Sequence, residues 1–239
     1  RYRPDSQVPR EMTRSDMNLV RDQHVSAARL GNEAGFDLLE LHYAHGYLLS
    51  SFLTPLANQR SDQYGGSLTN RMRYPLELFE VVRAVWPDDK PISVRISATD
   101  WVEGGFDGDD AVAFASELKG LGCDLIDVST GQTTIEADPE YGRLYQTPYS
   151  DRIRNEVGIA TMTVGAVSSI DDVHNILVAG RADLCLLARP HIVDPYWTLN
   201  AAIDLGYAGH SFPNQYLAGL GTRRREQEPI PPDVFRRPT

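Results

Sequence analysis

The chain has 239 residues, 41% hydrophobic and 9% aromatic, and its 23 basic and 33 acidic side chains leave a net charge of −10. That balance excludes a disordered, collagen-like or disulfide-scaffold protein, and it argues against a nucleic-acid partner, which needs a basic face. No stretch approaches the ~18 apolar residues that cross a bilayer, and Arg1-Tyr2-Arg3-Pro4 has no apolar signal core. The expectation is a cytoplasmic protein with no membrane partner.

Taken in order, the first element is a helix from Ser15 to Ala34, where Met17, Val20, Val25, Ala28 and Leu30 recur at helical spacing and Ser15 with Asp16 serves as cap. A strand follows over Phe36–His42. After a long loop, Leu68–Trp86 is predicted as a helix despite Pro75, and Pro91–Ser97 as a strand. Asp109 or Asp110 caps a helix over Ala111–Leu121, and Leu125–Ser129 is the next strand. A loop of some twenty residues leads to a short helix near Ser150–Glu156, then a strand over Ala160–Gly165 and a helix near Ile170–Val178. Leu184–Ala188 is the last strand, followed by a helix over about Pro195–Leu205. Cys123 and Cys185 each fall in apolar, strand-like runs, which suits a reducing compartment better than a disulfide or metal pair.

Strands alternating with helices imply right-handed βαβ units and a parallel sheet, an α/β fold. No dinucleotide fingerprint follows any strand. The long polar or glycine-rich segments all follow strand C-termini, where a (β/α)8 TIM barrel keeps its active site, so a barrel is favoured over a doubly wound sheet. Residues 209–239 differ from the rest: Arg223-Arg224-Arg225, Pro231-Pro232 and Arg236-Arg237 mark an irregular Arg/Pro-rich arm.

Candidate chemistry gathers at three strand ends. His42, His45 and Tyr47 leave the first strand together; two imidazole N–H groups can grip an oxygen anion while a phenol supplies a proton. The same histidines are open to a structural role, or to a metal site for which no third ligand is obvious. Arg95, flanked by apolar residues, must pair its charge or point it into the barrel mouth, and an ion pair with Glu40 on the adjacent strand is the plain alternative. Gly165, with Arg189 on a neighbouring strand end, suits a phosphate clamp. The polar loop from Asn58 to Arg71 is predicted to be architectural, with Arg60, Asp62, Asn70 and Arg71 cross-linking it to the helix that follows.

The run LELHYAHGYLLSSFLTPLANQRSDQYGGSLTNRMR, followed in order by VRIS, LIDVSTG, VGAV and GRADLCLLARP, resembles the Old Yellow Enzyme family of FMN-dependent NAD(P)H oxidoreductases. SQVPREM, SATDWVEGG, YQTPYSDRIRNE and ARPHIVDPYW carry a narrower likeness, to the reductase part of bifunctional 2-aminobenzoyl-CoA monooxygenase/reductase and salicylyl-CoA 5-hydroxylase enzymes. The resemblance implies a TIM barrel with FMN over its mouth and NAD(P)H as reductant. It further implies hydride delivery to an activated C=C or a dearomatised ring, with an aryl-CoA thioester as the small-molecule substrate.

Carried over by position, His42 and His45 hold the substrate carbonyl and Tyr47 is the proton donor. Arg95 stands beside the flavin, and Gly165, Ala166, Ala188 and Arg189 clamp its phosphate. Gln132 contacts substrate, and no metal is implied. The five strands correspond to the fourth to eighth of the family barrel. The chain is therefore expected to divide into a lead-in (1–14), the last five βα units of a flavin-binding barrel (15–208) and the arm (209–239). A further polypeptide segment would supply the first three units, and an oligomer is expected. Two other readings stay open: another phosphate-binding barrel, an aldolase or isomerase using the His42/His45/Tyr47 cluster, or a non-catalytic half-barrel that serves in assembly.

Overall fold

The computed structural model describes residues 7–207, 209 and 213–216. The start of the predicted lead-in and most of the predicted arm, including Arg223 to Arg225, lie outside the described residues. Chain contacts separate two compact units, Arg1–Leu186 and Leu187–Thr239.

The first unit is built on five parallel strands in sequential order, β1 (Leu39–Tyr43), β2 (Ile92–Ser97), β3 (Leu125–Ser129), β4 (Ala160–Thr163) and β5 (Leu184–Cys185). The connecting helices are α2 (Leu48–Leu53) and α3 (Leu68–Arg83), α4 (Gly108–Gly120), α5 (Thr147–Arg152) with a π-helical turn over Ile153–Val157, and α6 (Ile170–Val178). Ahead of β1 runs α1 (Arg14–Glu33). The alternation predicted from the sequence is present, and β1 and β5 are the two edges of an open sheet.

Capping explains where the helix starts differ from expectation. α1 begins one residue earlier than predicted because Thr13, not Ser15, is its cap: Thr13 Oγ1 accepts from Asp16 N–H, and the Asp16 carboxylate accepts from Thr13 N–H in return. In α4 the cap is Asp107, whose Oδ1 accepts from the N–H groups of both Asp109 and Asp110. The two aspartates expected to cap fall instead in the first turn, where they favour the positive end of the helix dipole. The strands after Ala160 and Leu184 stop short of the predicted Gly165 and Ala188, because the chain turns away from the ladder after Thr163 and Cys185.

One face of the sheet holds the core. Leu41, Tyr43, Ile92, Val94, Ile96, Ile126 and Val128 alternate onto the helix side and pack with Leu78, Phe79 and Val82 of α3 and Phe114, Ala115 and Leu118 of α4. Each such Val, Leu, Ile or Phe side chain contributes about 1.5–3 kcal/mol by leaving water. The opposite, inner face carries Glu40, His42, Ser93, Arg95, Asp127, Ser129, Ala160, Met162 and Leu184. It is polar at its centre and open at its edges, where Glu40, His42, Ala160 and Leu184 are exposed.

The loop from Asn58 to Arg71 is tied down as predicted. Asn58 Nδ2 donates to the carbonyls of Phe52 and Tyr64, and its Oδ1 accepts from Arg60 N–H. Arg60 pairs with Asp62 and donates to Met12 O, while Arg71 donates to Leu53 O and Gly66 O and pairs with Asp110. Asn58→Ala therefore leaves two buried carbonyls without a donor. We expect a loss of about 2–4 kcal/mol of unfolding free energy in a urea titration.

In the second unit, α7 (Arg189–Val193) and α8 (Trp197–Asp204) are joined through Asp194, whose carboxylate accepts from Tyr196 N–H and Asn200 Nδ2. The sequence reading treats Arg189-Pro190 as a strand end and does not foresee α7. Ala188 is in fact its cap and Arg189 its first residue, with Pro190 near the helix start, where its missing N–H costs nothing.

Candidate active site

The parallel register makes one cross-strand row of His42, Arg95, Asp127, Met162 and Leu184. In-register residues of parallel strands share a face, so the imidazole, the guanidinium and the carboxylate sit side by side on the inner surface. Arg95 does not pair with Glu40, the partner the sequence reading offered as the plain alternative. Its Nε lies 3.1 Å from Asp127 Oδ2, and its Nε and Nη2 both donate to Ser129 Oγ at 3.2 and 2.8 Å. Glu40 is one row away and instead accepts from Ser93 Oγ.

His42, His45 and Tyr47 are brought together as the chain leaves β1. The ring centroids of His42 and His45 are 5.1 Å apart, and those of His42 and Tyr47 are 5.3 Å apart. The backbone is forced into this shape: His45 has φ 61° and Gly46 φ 70°. A β-carbon on Gly46 would stand 2.7 Å from the carbonyl oxygen of Gln132. His45 N–H donates to Ser97 Oγ, which donates in turn to Gly131 O, so the loop after β1 is stitched to the end of β2 and the loop after β3. A left-handed histidine at a strand end is the kind of strain that functional sites retain.

Burial and a neighbouring cation disfavour the charged form of both imidazoles. Burial, then the charge of Arg95, holds His42 below its ordinary range, and the same two causes with His42 itself bring His45 down to about 4. Neutral imidazoles donate an N–H without carrying a cation, which suits stabilising a carbonyl oxygen as it gains charge. Tyr47 as a residue is 63% exposed, which leaves it accessible to a bound molecule.

Gln132, at φ 65°, helps line a cavity of 290 Å³ with Trp101, Gly131, Ile135, Tyr141 and Tyr145. The aromatic rings Trp101, Tyr145 and Tyr141 follow one another at 6.5 and 5.3 Å. Such walls suit a planar apolar group.

After β4 the chain passes through Gly165 (φ 111°) and Ala166 (φ 52°) into α6. A β-carbon on Gly165 would meet Gln146 Nε2 at 2.6 Å, so this position requires glycine. Gln146 is buried, donates to Val164 O and binds the Thr130 hydroxyl, which links the loops after β3 and β4. The N–H groups of Ser168 and Ser169 are taken by Asp172 Oδ2. Burial resists ionisation of Asp172, yet these donors and Arg143 carry its pKa down to about 2. An anion here would rest on the backbone nearer Gly165 and Ala166. Ala188 and Arg189 belong to the second unit.

Sequence reasoning passes over Asp127, Ser129 and Gln146. A charge inside the apolar run LIDVS is a visible signal for Asp127, but its pairing with Arg95 depends on register, which no local pattern gives.

No helix among the described residues is long and apolar enough to cross a membrane. The family described as NADH:flavin oxidoreductase / NADH oxidase matches residues 3–206. An NADPH dehydrogenase of Geobacillus sp. (strain WCH70) is 44% identical over 201 residues, covering 84% of this chain and 58% of that protein. The chain thus spans well under two thirds of that relative's length.

Among solved structures, 2-naphthoyl-CoA reductase in complex with 2-naphthoyl-CoA superposes with a TM-score of 0.75 at 27% identity, covering 82% of this chain and 30% of that one. Morphinone reductase in complex with tetrahydroNAD superposes with a TM-score of 0.67 at 25% identity, covering 88% of this chain and 55% of that one. With the family pattern matched along most of its length, the chain belongs to the NADH:flavin oxidoreductase / NADH oxidase family, the Old Yellow Enzyme family of the sequence analysis.

Proposed function

We propose that this chain is the reductase segment of an FMN-dependent oxidoreductase that moves hydride from NAD(P)H, by way of FMN, to an activated C=C or a dearomatised ring of an aryl-CoA thioester. The observation that carries the reading is the inner-face constellation: two imidazoles and an exposed phenol within about one ring's reach, beside a fixed guanidinium. Family membership implies FMN as cofactor and NAD(P)H as reductant. The likeness to a naphthoyl-CoA reductase and the aromatic cavity beside Gln132 support the aryl-CoA substrate class. The narrower sequence likeness supports a bifunctional monooxygenase/reductase as the parent enzyme.

The residues present fit the cofactor. A partly exposed cation on the inner face, the hydroxyl of Ser129 beside it and the glycine turn after β4 make a donor set suited to an electron-rich ring edge and a phosphate. When bound, FMN supplies the hydride relay. Arg95 would stand beside the ring and supply a fixed positive charge to its electron-rich edge. The Gly165 and Ala166 backbone would hold the phosphate, and the family likeness assigns Ala188 and Arg189 to the same group. His42 and His45 donate N–H to the substrate carbonyl oxygen, and the Tyr47 O–H gives its proton to the carbon opposite the one that accepts hydride. Arg189→Ala weakens FMN retention about tenfold or more in equilibrium dialysis, the size of one lost charge-assisted contact.

The open inner face and two free sheet edges support assigning the five strands to the fourth to eighth of an eight-stranded barrel, since a closed barrel packs that face with side chains. In that reading a further segment completes the barrel. The substrate class is tested by reducing the FMN-loaded protein anaerobically and adding acceptors. Reoxidation by an aryl-CoA thioester faster than by a simple enone supports it; reoxidation by the enone alone removes the CoA thioester.

A further inference from the structure

Asp127 has no part in the scheme above, yet it lies at the centre of the inner-face row. Its side chain is 1% exposed, and Oδ1 has no hydrogen-bond partner. Oδ2 faces the Arg95 guanidinium from β3 at 3.1 Å. A carboxylate at that depth ordinarily collects several donors, so one cation at its side is sparse support. The groups facing it can be named strand by strand. β2 brings Arg95; β1 brings His42 in the same row and Glu40 one row away; β4 brings Met162, which carries no charge. Ser129, two residues on, binds the same guanidinium and so fixes its other side.

We propose that Asp127 is a positioning residue for Arg95, drawing the guanidinium toward β3 and offsetting its charge when ionised, so that the positive charge offered on the inner face depends on whether Asp127 carries a proton. The part of this that concerns the cofactor rests on the reading that FMN occupies the inner face. Burial is the main cause holding the Asp127 carboxyl up, to about 7; Arg95 pulls it down and Glu40 pushes it up. The Asp127 carboxylate then offsets the guanidinium charge at pH 8.5 and, once protonated, no longer does so at pH 5.5. A purely structural ion pair would hold the two strands together without passing that titration beyond Arg95 to a ring bound on the inner face.

Two measurements separate the proposal from the function on which it leans. The first needs no cofactor: the guanidinium ¹⁵N and ¹³C signals of Arg95 are followed from pH 5 to 9 in the purified protein. They are expected to move with a midpoint near 7, and in Asp127→Asn to stay flat. Signals that are flat in the native protein, or that titrate identically in the variant, overturn the proposal. The second compares the FMN midpoint potential of native protein and Asp127→Asn across the same range. The two coincide near pH 5.5, and by pH 8.5 the variant holds about tenfold more reduced FMN at a fixed poise, about 30 mV for a two-electron couple. A gap that does not change with pH overturns the link from Asp127 to the cofactor. If neither protein takes up FMN, the function falls, and the Arg95 titration still decides the role of Asp127.

Discussion

In Tyr47→Phe, reoxidation of the reduced flavin by an enone or enoyl acceptor slows by about 10²- to 10⁴-fold, whereas its reduction by NAD(P)H changes less than about twofold. The first range is what a positioned general acid contributes when its proton is removed. The asymmetry follows from the geometry. Tyr47 caps α2 and stands with its ring against His42, and with most of its surface exposed it supports nothing in the core. Loss of the hydroxyl therefore leaves the fold and the flavin contacts in place and removes one proton at one atom. Stopped-flow absorbance of the two half-reactions checks it. An equal loss in both would mean that Tyr47 shapes the site rather than protonating the product.

Arg95→Ala destabilises the fold by about 2–3 kcal/mol at pH 8.5 and by only about 1 kcal/mol at pH 5.5. These values sit below those for fully buried pairs because the Arg95 side chain is 27% exposed. The pH dependence has a definite sign. The Asp127 carboxyl is already held up to about 7, mainly by burial, and Arg95 is what pulls it down. Without Arg95 it rises further, so the variant binds a proton at pH 8.5 that the native protein releases, and its relative stability falls as pH rises through 7. Below pH 6 Asp127 is protonated in both proteins and only packing is lost. Urea unfolding at the two pH values measures the difference; a pH-independent penalty would contradict the ion pair as described.

Much of this arrangement was legible in the sequence, for physical reasons that differ by element. Strand β3 and helix α6 match their predicted limits because each is bounded by strong local signals: Ser169 and Asp172 form a capping box at the start of α6, and Gly131 and Gln132 adopt left-handed turns just past β3. Thr13 does not stand out as a cap in the sequence because Ser15 and Asp16 offer the same chemistry two and three residues later, and only the reciprocal bond to Asp16 distinguishes them. The short helices α2 and α7 have too few turns for periodicity to register.

At the site, His42, His45, Tyr47 and Arg95 could be found because they are unusual residue types at strand ends. The Arg95–Asp127 pair could not, since Glu40 and Asp127 sit on the two strands flanking β2 and differ by one row. A one-row difference decides which carboxylate meets the guanidinium, and register is set by the packing of Val94, Ile126 and their neighbours on the other face.

On the proposed reading this inner face holds FMN beside the residues that act on substrate. The anaerobic absorbance spectrum of the purified protein, after incubation with FMN and removal of the unbound fraction, tests it most directly. A bound yellow chromophore is expected, bleached by NAD(P)H and lost in Arg95→Ala. A protein that retains no flavin under these conditions, including when joined to the segment that completes its barrel, or that retains flavin which NAD(P)H does not bleach, would contradict it.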